Sequence, residues 1–297
     1  MNSTILISGA SGFTGKHACK FFLDAGYQVI GLVRKPPSSA ETNVTNYVCD
    51  VTDQSEISKL IEKVKPDYIL HLAGRNSVGD SWLDPVGTIE TNVLSTMYIV
   101  EAVRRESLAS NILVVGSALQ TDLQDLRTLE HPYSLSKSMQ ALIAQAWEQL
   151  YDMNVMIAKP SNLIGPGLSN GVCSILAKQV VEIEKGERDP VLTIDNLYAM
   201  RDFLDVRDAV SAYEMILKLG APGDVFDVNS GNSRSLKDVT DLLVRLSNKS
   251  IRIEGKKSER ETREEKKPLK LMQLGWKQEI PWESSIEDIL QFHRESI

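Results

Sequence analysis

Five short apolar runs, separated by helical patterns, leave few folds open to the first half of this chain. They are "TILIS" (4–8), "YQVIGLV" (27–33), "DYILHLA" (67–73), "NILVVGS" (111–117) and "NVMIAK" (154–159). Each is a near-continuous stretch of Val, Ile and Leu rather than an apolar–polar alternation, the pattern of strands covered on both faces. Helical segments at 14–25, 53–64, 86–105 and 134–151 lie between and around them. Strand–helix alternation predicts a parallel sheet with helices on both faces, because a right-handed crossover packs back onto a right-twisted sheet. The expected fold is therefore α/β: a Rossmann-like doubly wound parallel sheet, followed by a smaller C-terminal substrate-binding α/β region.

Past residue 163 the regularity breaks. "NLIGPGLSNG" (162–171) reads as a loop punctuated by Gly and Pro, 172–185 and 207–219 as helices, and "GDVFDV" (223–228) as one more strand. We expect a dinucleotide-binding domain in 1–163, with a strand and helix returning to it around 201–230, and a mainly substrate-binding domain in 164–297. The segment "GKKSERETREEKKP" (255–268) holds six basic and four acidic side chains and reads as a solvated loop.

With 297 residues, 42% hydrophobic and 25% charged, the chain has the composition of a soluble globular protein with a real core. Its net charge of −7 supplies no attraction to nucleic acid or an anionic membrane, so neither is an expected partner, and an anionic ligand has to be held by local groups. No apolar run approaches the roughly 18 residues of a membrane span, and "MNSTILISGASG" lacks the basic region and long apolar core of a signal peptide. Cys19, Cys49 and Cys173 are far apart and outside any CxxC spacing, which suits reduced thiols and a cytoplasmic location. His17, His71, His131 and His293 show no ligand spacing, so no metal is expected. The helix at 134–151 carries Leu135, Met139, Leu142, Ile143, Ala146, Trp147 and Leu150, more apolar surface than one buried face needs. A homodimer packed through it and the similar helix at 86–105 is expected, beside a reading in which both serve the core alone.

"SGASGFTGKH" (8–17) directly follows the first strand and opens a helix, with Gly9, Gly12 and Gly15 spaced three apart. Glycine permits the tight turn, the approach of the backbone to a pyrophosphate, and close helix–strand packing. The helix start offers free amides and a positive dipole end to the phosphates. At the first strand–helix junction this pattern predicts dinucleotide binding. The second strand ends "GLVRKP": Arg34 and Lys35 stand where an acidic residue would accept from an unphosphorylated ribose. NADP(H) is the expected cofactor, with NAD(H) the alternative. Asp50, after the third strand, can accept from an adenine amino group or cap the next helix.

Tyr133 and Lys137 in "HPYSLSKSMQ" (131–140) are four apart and share one helix face. Free tyrosine titrates near 10, and bringing it to about 7 takes roughly 4 kcal/mol of preference for the phenolate, which a neighbouring ammonium can help supply. In the reductive direction the same tyrosine is the acid. Ser117 closes the strand "NILVVGS" at the carboxyl end, where ligands sit in such sheets.

On these residues, and on "HLAG" (71–74), "SVGDSWLDP" (77–85), "TNVLST" (91–96), "KPSNLIGPG" (159–167), "RDFLDVRDAVSAY" (201–213) and "LGWKQEIPWESSIEDIL" (274–290), the chain resembles extended short-chain dehydrogenase/reductases. The likeness covers nearly its whole length and points to the nucleotide-sugar branch, especially GDP-4-keto-6-deoxy-mannose reductases and their dehydratase relatives. The resemblance implies Ser117, Tyr133 and Lys137 as the catalytic set, with Asn92 supporting the lysine in a relay. It implies Gly9, Ser11, Gly12, Phe13 and Gly15 at the pyrophosphate, Asp50 and Val51 at the adenine, Leu72 and Ala73 along the cofactor, and Lys159 beside the nicotinamide. Lys137 would also bind the nicotinamide ribose. Ser77 and Asn162 are implied for the sugar, Lys178 and Arg201 for the nucleotide diphosphate.

The departures from the family pattern also inform the reading. Thr121 and Asp122 replace an aromatic–glycine pair, the Ser117–Tyr133 segment is short, and either Arg260 or Arg263 can stand for the diphosphate arginine. Dehydratase relatives follow the catalytic hydroxyl with an acid–base pair; here Ala118 and Leu119 follow Ser117, and neither moves a proton. The sequence thus points to NADPH-dependent reduction of the C4 ketone of an NDP-4-keto-6-deoxy-hexose, GDP-4-keto-6-deoxy-mannose or a UDP-linked N-acetylhexosamine equivalent. The product would be an activated 6-deoxy sugar for glycan synthesis. Alternatives are a 4-epimerase, a 4,6-dehydratase, or a non-catalytic dinucleotide-binding regulator.

Overall fold

The apolar runs become strands β1 (Thr4–Ser8), β2 (Gln28–Val33), β3 (Thr45–Val48), β4 (Tyr68–His71), β5 (Asn111–Val115) and β6 (Val155–Pro160) in the computed structural model, which describes residues 2–36, 43–121, 125–256 and 266–296. Helices α1 (Phe13–Asp24), α2 (Gln54–Val64), α3 (Val78–Leu83), α4 (Pro85–Ile89), α5 (Ser95–Arg105) and α6 (Pro132–Tyr151) connect them. Further along come β7 (Asn162–Ile164), α7 (Val172–Glu184), β8 (Val191–Asn196), β9 (Met200–Asp205), α8 (Val206–Leu219) and β10 (Val225–Val228). The chain closes with β11 (Ser233–Ser235), α9 (Leu236–Leu246), β12 (Arg252–Lys256), α10 (Leu269–Gln273) and α11 (Trp282–Ser296).

The main sheet has seven strands in the order β3-β2-β1-β4-β5-β6-β10, and every pairing from β3 to β6 is parallel. Strand order reverses at β1, so the crevice at the carboxyl ends of β1 and β4 is the topological switch point where such sheets take ligands. Register places Ile30, Leu6, Ile69, Ile112 and Val155 in one row across the sheet. That row joins Ile57 and Ile61 of α2 and Ile99, Val100 and Val103 of α5 in a single buried cluster. Residues of the other parity, Ile5, Ile7, Val29, Leu70 and Leu113, are buried too, which is why the runs read as continuous. Each such side chain contributes about 1.5–3 kcal/mol by leaving water.

Helix boundaries follow local chemistry. Asp53 caps α2 by accepting from the Glu56 amide at 3.0 Å. His131 caps α6 through Nδ1, accepting from the Ser134 amide at 2.9 Å, and Pro132 fills the first helical position, where its missing N–H costs nothing. The expected single helix over 86–105 is corrected: α4 and α5 are separated by a π-turn, Glu90–Leu94. The extra residue in that turn carries Asn92 inward, and its side chain is tied to the backbone of Arg75. A tertiary bond of this kind is invisible to helical periodicity.

By contact the chain forms two compact units, Met1–Pro160 with Val210–Asp227, and Ser161–Ala209 with Val228–Ile297. The return to the first unit begins at Val210 rather than near 201, because β9 pairs with β7 and β11 in a separate three-stranded sheet. The span 162–171, read as a loop, begins with the short strand β7. The second unit packs Leu176, Val180 and Val181 of α7 with Leu242 and Leu243 of α9 and Ile286, Ile289 and Leu290 of α11. Asp122, Arg260, Arg263 and most of the charged segment at 255–268 lie outside the described residues. No described helix is long and apolar enough to cross a membrane.

Candidate active site

The glycine turn sits at the switch point. Gly9 has φ +71°, and a Cβ there would stand 2.9 Å from the Ala73 nitrogen, so the turn lies directly against the end of β4 at Leu72 and Ala73. A Cβ on Gly15 would fall 2.1 Å from the Gly9 carbonyl oxygen, so only glycine lets α1 approach β1 this closely. Gly12 is the N-cap of α1 and offers no side-chain cap, leaving the first-turn amides for a ligand. Ser11 and Phe13 flank it, Phe13 packing edge-on against His17. These residues fit a dinucleotide pyrophosphate.

The residues implied for the adenosine end lie after β2 and β3. Arg34 is exposed at the end of β2, and its charge helps hold the Asp50 carboxyl below the usual range, after the larger effect of hydrogen bonds from Thr52. Asp50 Oδ1 accepts from the Thr52 amide at 2.9 Å and hydroxyl at 2.8 Å, so this carboxylate is engaged in its own turn. The Val51 side chain is buried among Cys49 and Ile57, which leaves its main chain as the part able to border an adenine.

Ser117, Tyr133 and Lys137 converge where β5 ends. All three are buried, and the Tyr133 phenol is hydrogen-bonded to the Ser117 side chain. Ser117 Oγ accepts from the Leu119 amide at 3.1 Å, which fixes the hydroxyl at the mouth of its loop. That loop is stapled to α6: Gln120 donates to the Lys137 carbonyl at 3.0 Å, and Ser138 Oγ accepts from the Thr121 amide and donates to the Thr121 carbonyl. Lys159 follows Ala158, the partner of Val115 in the β5–β6 pairing, and so flanks the same strand end.

The pKa directions decide what this arrangement can do. The sequence argument asks for a tyrosine lowered toward neutrality; burial instead raises the Tyr133 phenol, and the Ser117 hydrogen bond only opposes that in part. The phenol is therefore protonated at neutral pH, the state a proton donor requires. Burial lowers the Lys137 ammonium to about 8, so it remains charged below that pH. Nζ donates to the Val115 carbonyl at 3.0 Å and to Gln140 Oε1 at 2.8 Å. A Cβ on Gly74 would stand 3.4 Å from Lys137 Nζ and 2.9 Å from Asn92 Oδ1, so the glycine keeps space open beside the lysine.

Asn92 is placed differently from the implied relay. Its Oδ1 accepts from the Arg75 amide at 2.7 Å, and its Nδ2 donates to the Arg75 carbonyl at 3.0 Å and to Ser136 Oγ at 2.8 Å. It clamps the loop after β4 instead of bonding to Lys137. Ser77 caps α3, accepting from the Asp80 amide at 3.1 Å. Asn162, Lys178 and Arg201 belong to the second unit. There Asn162 donates to the Asp202 carbonyl at 3.0 Å, Lys178 pairs with Glu182 at 3.8 Å, and Arg201 donates to the Met200 carbonyl at 2.7 Å.

Sequence reasoning missed Ser8, His71, Thr96, Ser136 and Gln140, all buried polar side chains around the lysine. A signal existed: Asn92 and Thr96, and likewise Ser136 and Gln140, are four apart, putting polar groups on helix faces otherwise read as apolar.

The fold agrees with the comparisons. A model of the NAD dependent epimerase/dehydratase family matches residues 5–229, and the chain belongs to that family. A GDP-6-deoxy-D-mannose reductase from Pseudomonas aeruginosa is 26% identical, with 98% of this chain and 97% of the relative covered. A human dTDP-D-glucose 4,6-dehydratase is 23% identical over 98% of this chain and 90% of its own length. Among solved structures, RMD from Pseudomonas aeruginosa complexed with NADPH superposes with a TM-score of 0.83 at 26% identity, covering 100% of both chains. The protein is thus an NAD(P)-dependent enzyme of nucleotide-sugar chemistry.

Proposed function

We propose that this chain reduces the C4 ketone of a nucleotide-activated 4-keto-6-deoxy-hexose with NADPH. The observation that carries the reading is the composition of the site: a proton donor, its hydroxyl partner and a lysine converge, while Ala118 and Leu119 fill the two places after Ser117. No proton-moving pair follows Ser117 to remove a C5 proton, so the set suits addition of hydrogen to a ketone rather than loss of water. The likeness to a GDP-6-deoxy-D-mannose reductase supports the same choice. Arg34, exposed at the β2 end, favours a 2′-phosphate and hence NADPH.

The dinucleotide supplies the hydride when bound. Gly9, Ser11, Gly12, Phe13 and Gly15 would hold its pyrophosphate, Asp50, Val51, Leu72 and Ala73 would border it, and Lys159 would stand beside the nicotinamide. Ser117 orients the ketone oxygen, and Tyr133, kept protonated by burial, gives that oxygen its proton. The Lys137 ammonium stabilises the phenolate left behind. Ser77, Asn162, Lys178 and Arg201 are the candidate contacts for sugar and diphosphate.

The test is NADPH oxidation on a panel of GDP-, UDP- and dTDP-linked 4-keto-6-deoxy sugars. Turnover with at least one is expected, and Tyr133→Phe should lower kcat by about 10³-fold with NADPH affinity kept. Tight NADPH binding without oxidation by any member of the panel would refute the reading.

A further inference from the structure

Behind Lys137 runs a chain of hydrogen bonds among side chains that are at most 5% exposed. Gln140 Oε1 accepts from Lys137, and its Nε2 donates to Thr96 Oγ1 at 2.9 Å. Thr96 Oγ1 lies 2.9 Å from the Asn92 carbonyl and 2.9 Å from His71 Nε2. Ser95 Oγ, bonded to the Thr91 carbonyl, lies 3.3 Å from the same nitrogen; with both hydroxyls donating to the backbone, Nε2 carries the proton. His71 Nδ1 then accepts from Ser8 Oγ at 2.7 Å, and Ser8 Oγ accepts from the Ala73 amide at 3.1 Å. That placement gives the chain one tautomer and one direction. Burial, with the charge of Lys137, lowers His71 to about 3, so the ring is neutral. The chain ends at Ser8, the residue before Gly9.

We propose that Gln140 is a positioning residue for the reaction: a neutral acceptor that holds the Lys137 ammonium from the protein side and is itself fixed, through Thr96, His71 and Ser8, to the turn carrying Gly9. The proposal rests on the reading of Lys137 and Tyr133 as the proton-donating pair. Neutrality is the point of the amide. A carboxylate in its place would bind the ammonium more tightly but cancel the field that stabilises the Tyr133 phenolate. An amide hands on no proton, so the chain fixes a geometry and does not conduct.

Among the described residues, His71 on β4 feels the charge of Lys137 and Tyr133 lies four positions away on the same helix; β5 presents the Val115 carbonyl and the π-turn presents Asn92, and neither of these titrates. Opposite substitutions therefore have opposite effects. Gln140→Glu should raise the titration of both Lys137 and Tyr133, moving the alkaline fall of kcat/KM upward by about half a pH unit or more. Gln140→Met removes an acceptor from the charged lysine and should move the fall downward, with kcat lowered about tenfold and the KM for NADPH changed less than about threefold. Identical profiles, or shifts in the same direction, would overturn the proposal. The thermal midpoint of each variant reports folding, and if Gln140→Met does not fold, the Gln140→Glu shift decides. Absorbance titration of the Tyr133 phenol in the NADP⁺ complex, taken as the difference from Tyr133→Phe, reads the upward shift of Gln140→Glu without a sugar. A failure of the substrate panel is thereby kept separate from a failure of this inference.

Discussion

Asp205 and Lys137 are both charged side chains taken out of water, one in each unit, and the fold treats them in opposite ways. Asp205 receives a bidentate Arg207 at 2.8 Å and the Ser285 hydroxyl at 2.6 Å, and Asp288 completes the cluster from α11. Hydrogen bonds donated to the two aspartates, Asp205 foremost, push the Arg207 guanidinium upward in pKa, against its own desolvation. Lys137 instead meets a backbone carbonyl and a neutral amide, and burial pushes it down. Compensated charge fixes a shape. An ammonium bonded only to neutral acceptors keeps its field for a neighbouring group, at a cost in stability.

Replacing Lys137 should break the comparison most visibly. Lys137→Met is expected to lower kcat by about 10³-fold, roughly 4 kcal/mol, while the folded state gains about 1–2 kcal/mol by losing a desolvated ammonium. Parallel measurements of NADPH oxidation and chemical denaturation check both signs; a variant that loses stability along with activity would place Lys137 with Asp205 as a structural group. Arg207→Leu should do the reverse. It leaves the Asp205 carboxylate buried with its main partner gone, costing about 3–5 kcal/mol in denaturation, with kcat near wild type in the protein that stays folded.

The third effect is smaller and depends on pH. His71 is lowered from 6.5 to about 3 in the folded chain, so between these values the unfolded chain binds one more proton at this residue. Stability associated with it is complete above pH 6.5 and is lost as pH falls. From pH 6.5 to about 4.5 the loss is about 2 kcal/mol. Denaturation curves of wild type and His71→Gln over that window isolate it, and equal slopes would show that the ring is not held neutral.

Where local pattern and tertiary environment agreed, the sequence was easy to read. β1, β2, β4, β5 and β6 are legible because residues of both parities are apolar, and α2 because Asp53 and Lys65 mark its two ends. The glycine turn is legible because Gly9 and Gly15 answer to steric demands that no other side chain meets. α6 is the counter-case. Its apolar Leu142 and Leu150 are exposed, while Ser134, Ser136, Lys137, Ser138 and Gln140 are buried. Periodicity assigns the apolar face to the interior; here Ala144 does join the core, but the first half of the buried face is polar because each polar group on it has a hydrogen-bonding partner.

By itself the sequence determined the alternation of strands and helices in the first half and the glycine turn, since these follow from local steric and spacing rules, while the Ser117–Tyr133–Lys137 set was read from the family resemblance beside the four-residue spacing of Tyr133 and Lys137. Only the tertiary structure decided that Asn92 clamps Arg75 through a π-turn, that Tyr133 is held protonated, and that Lys137 faces the amide of Gln140. Those outcomes depend on burial and on how the fold brings the partners together, and neither is written in any local pattern of residues.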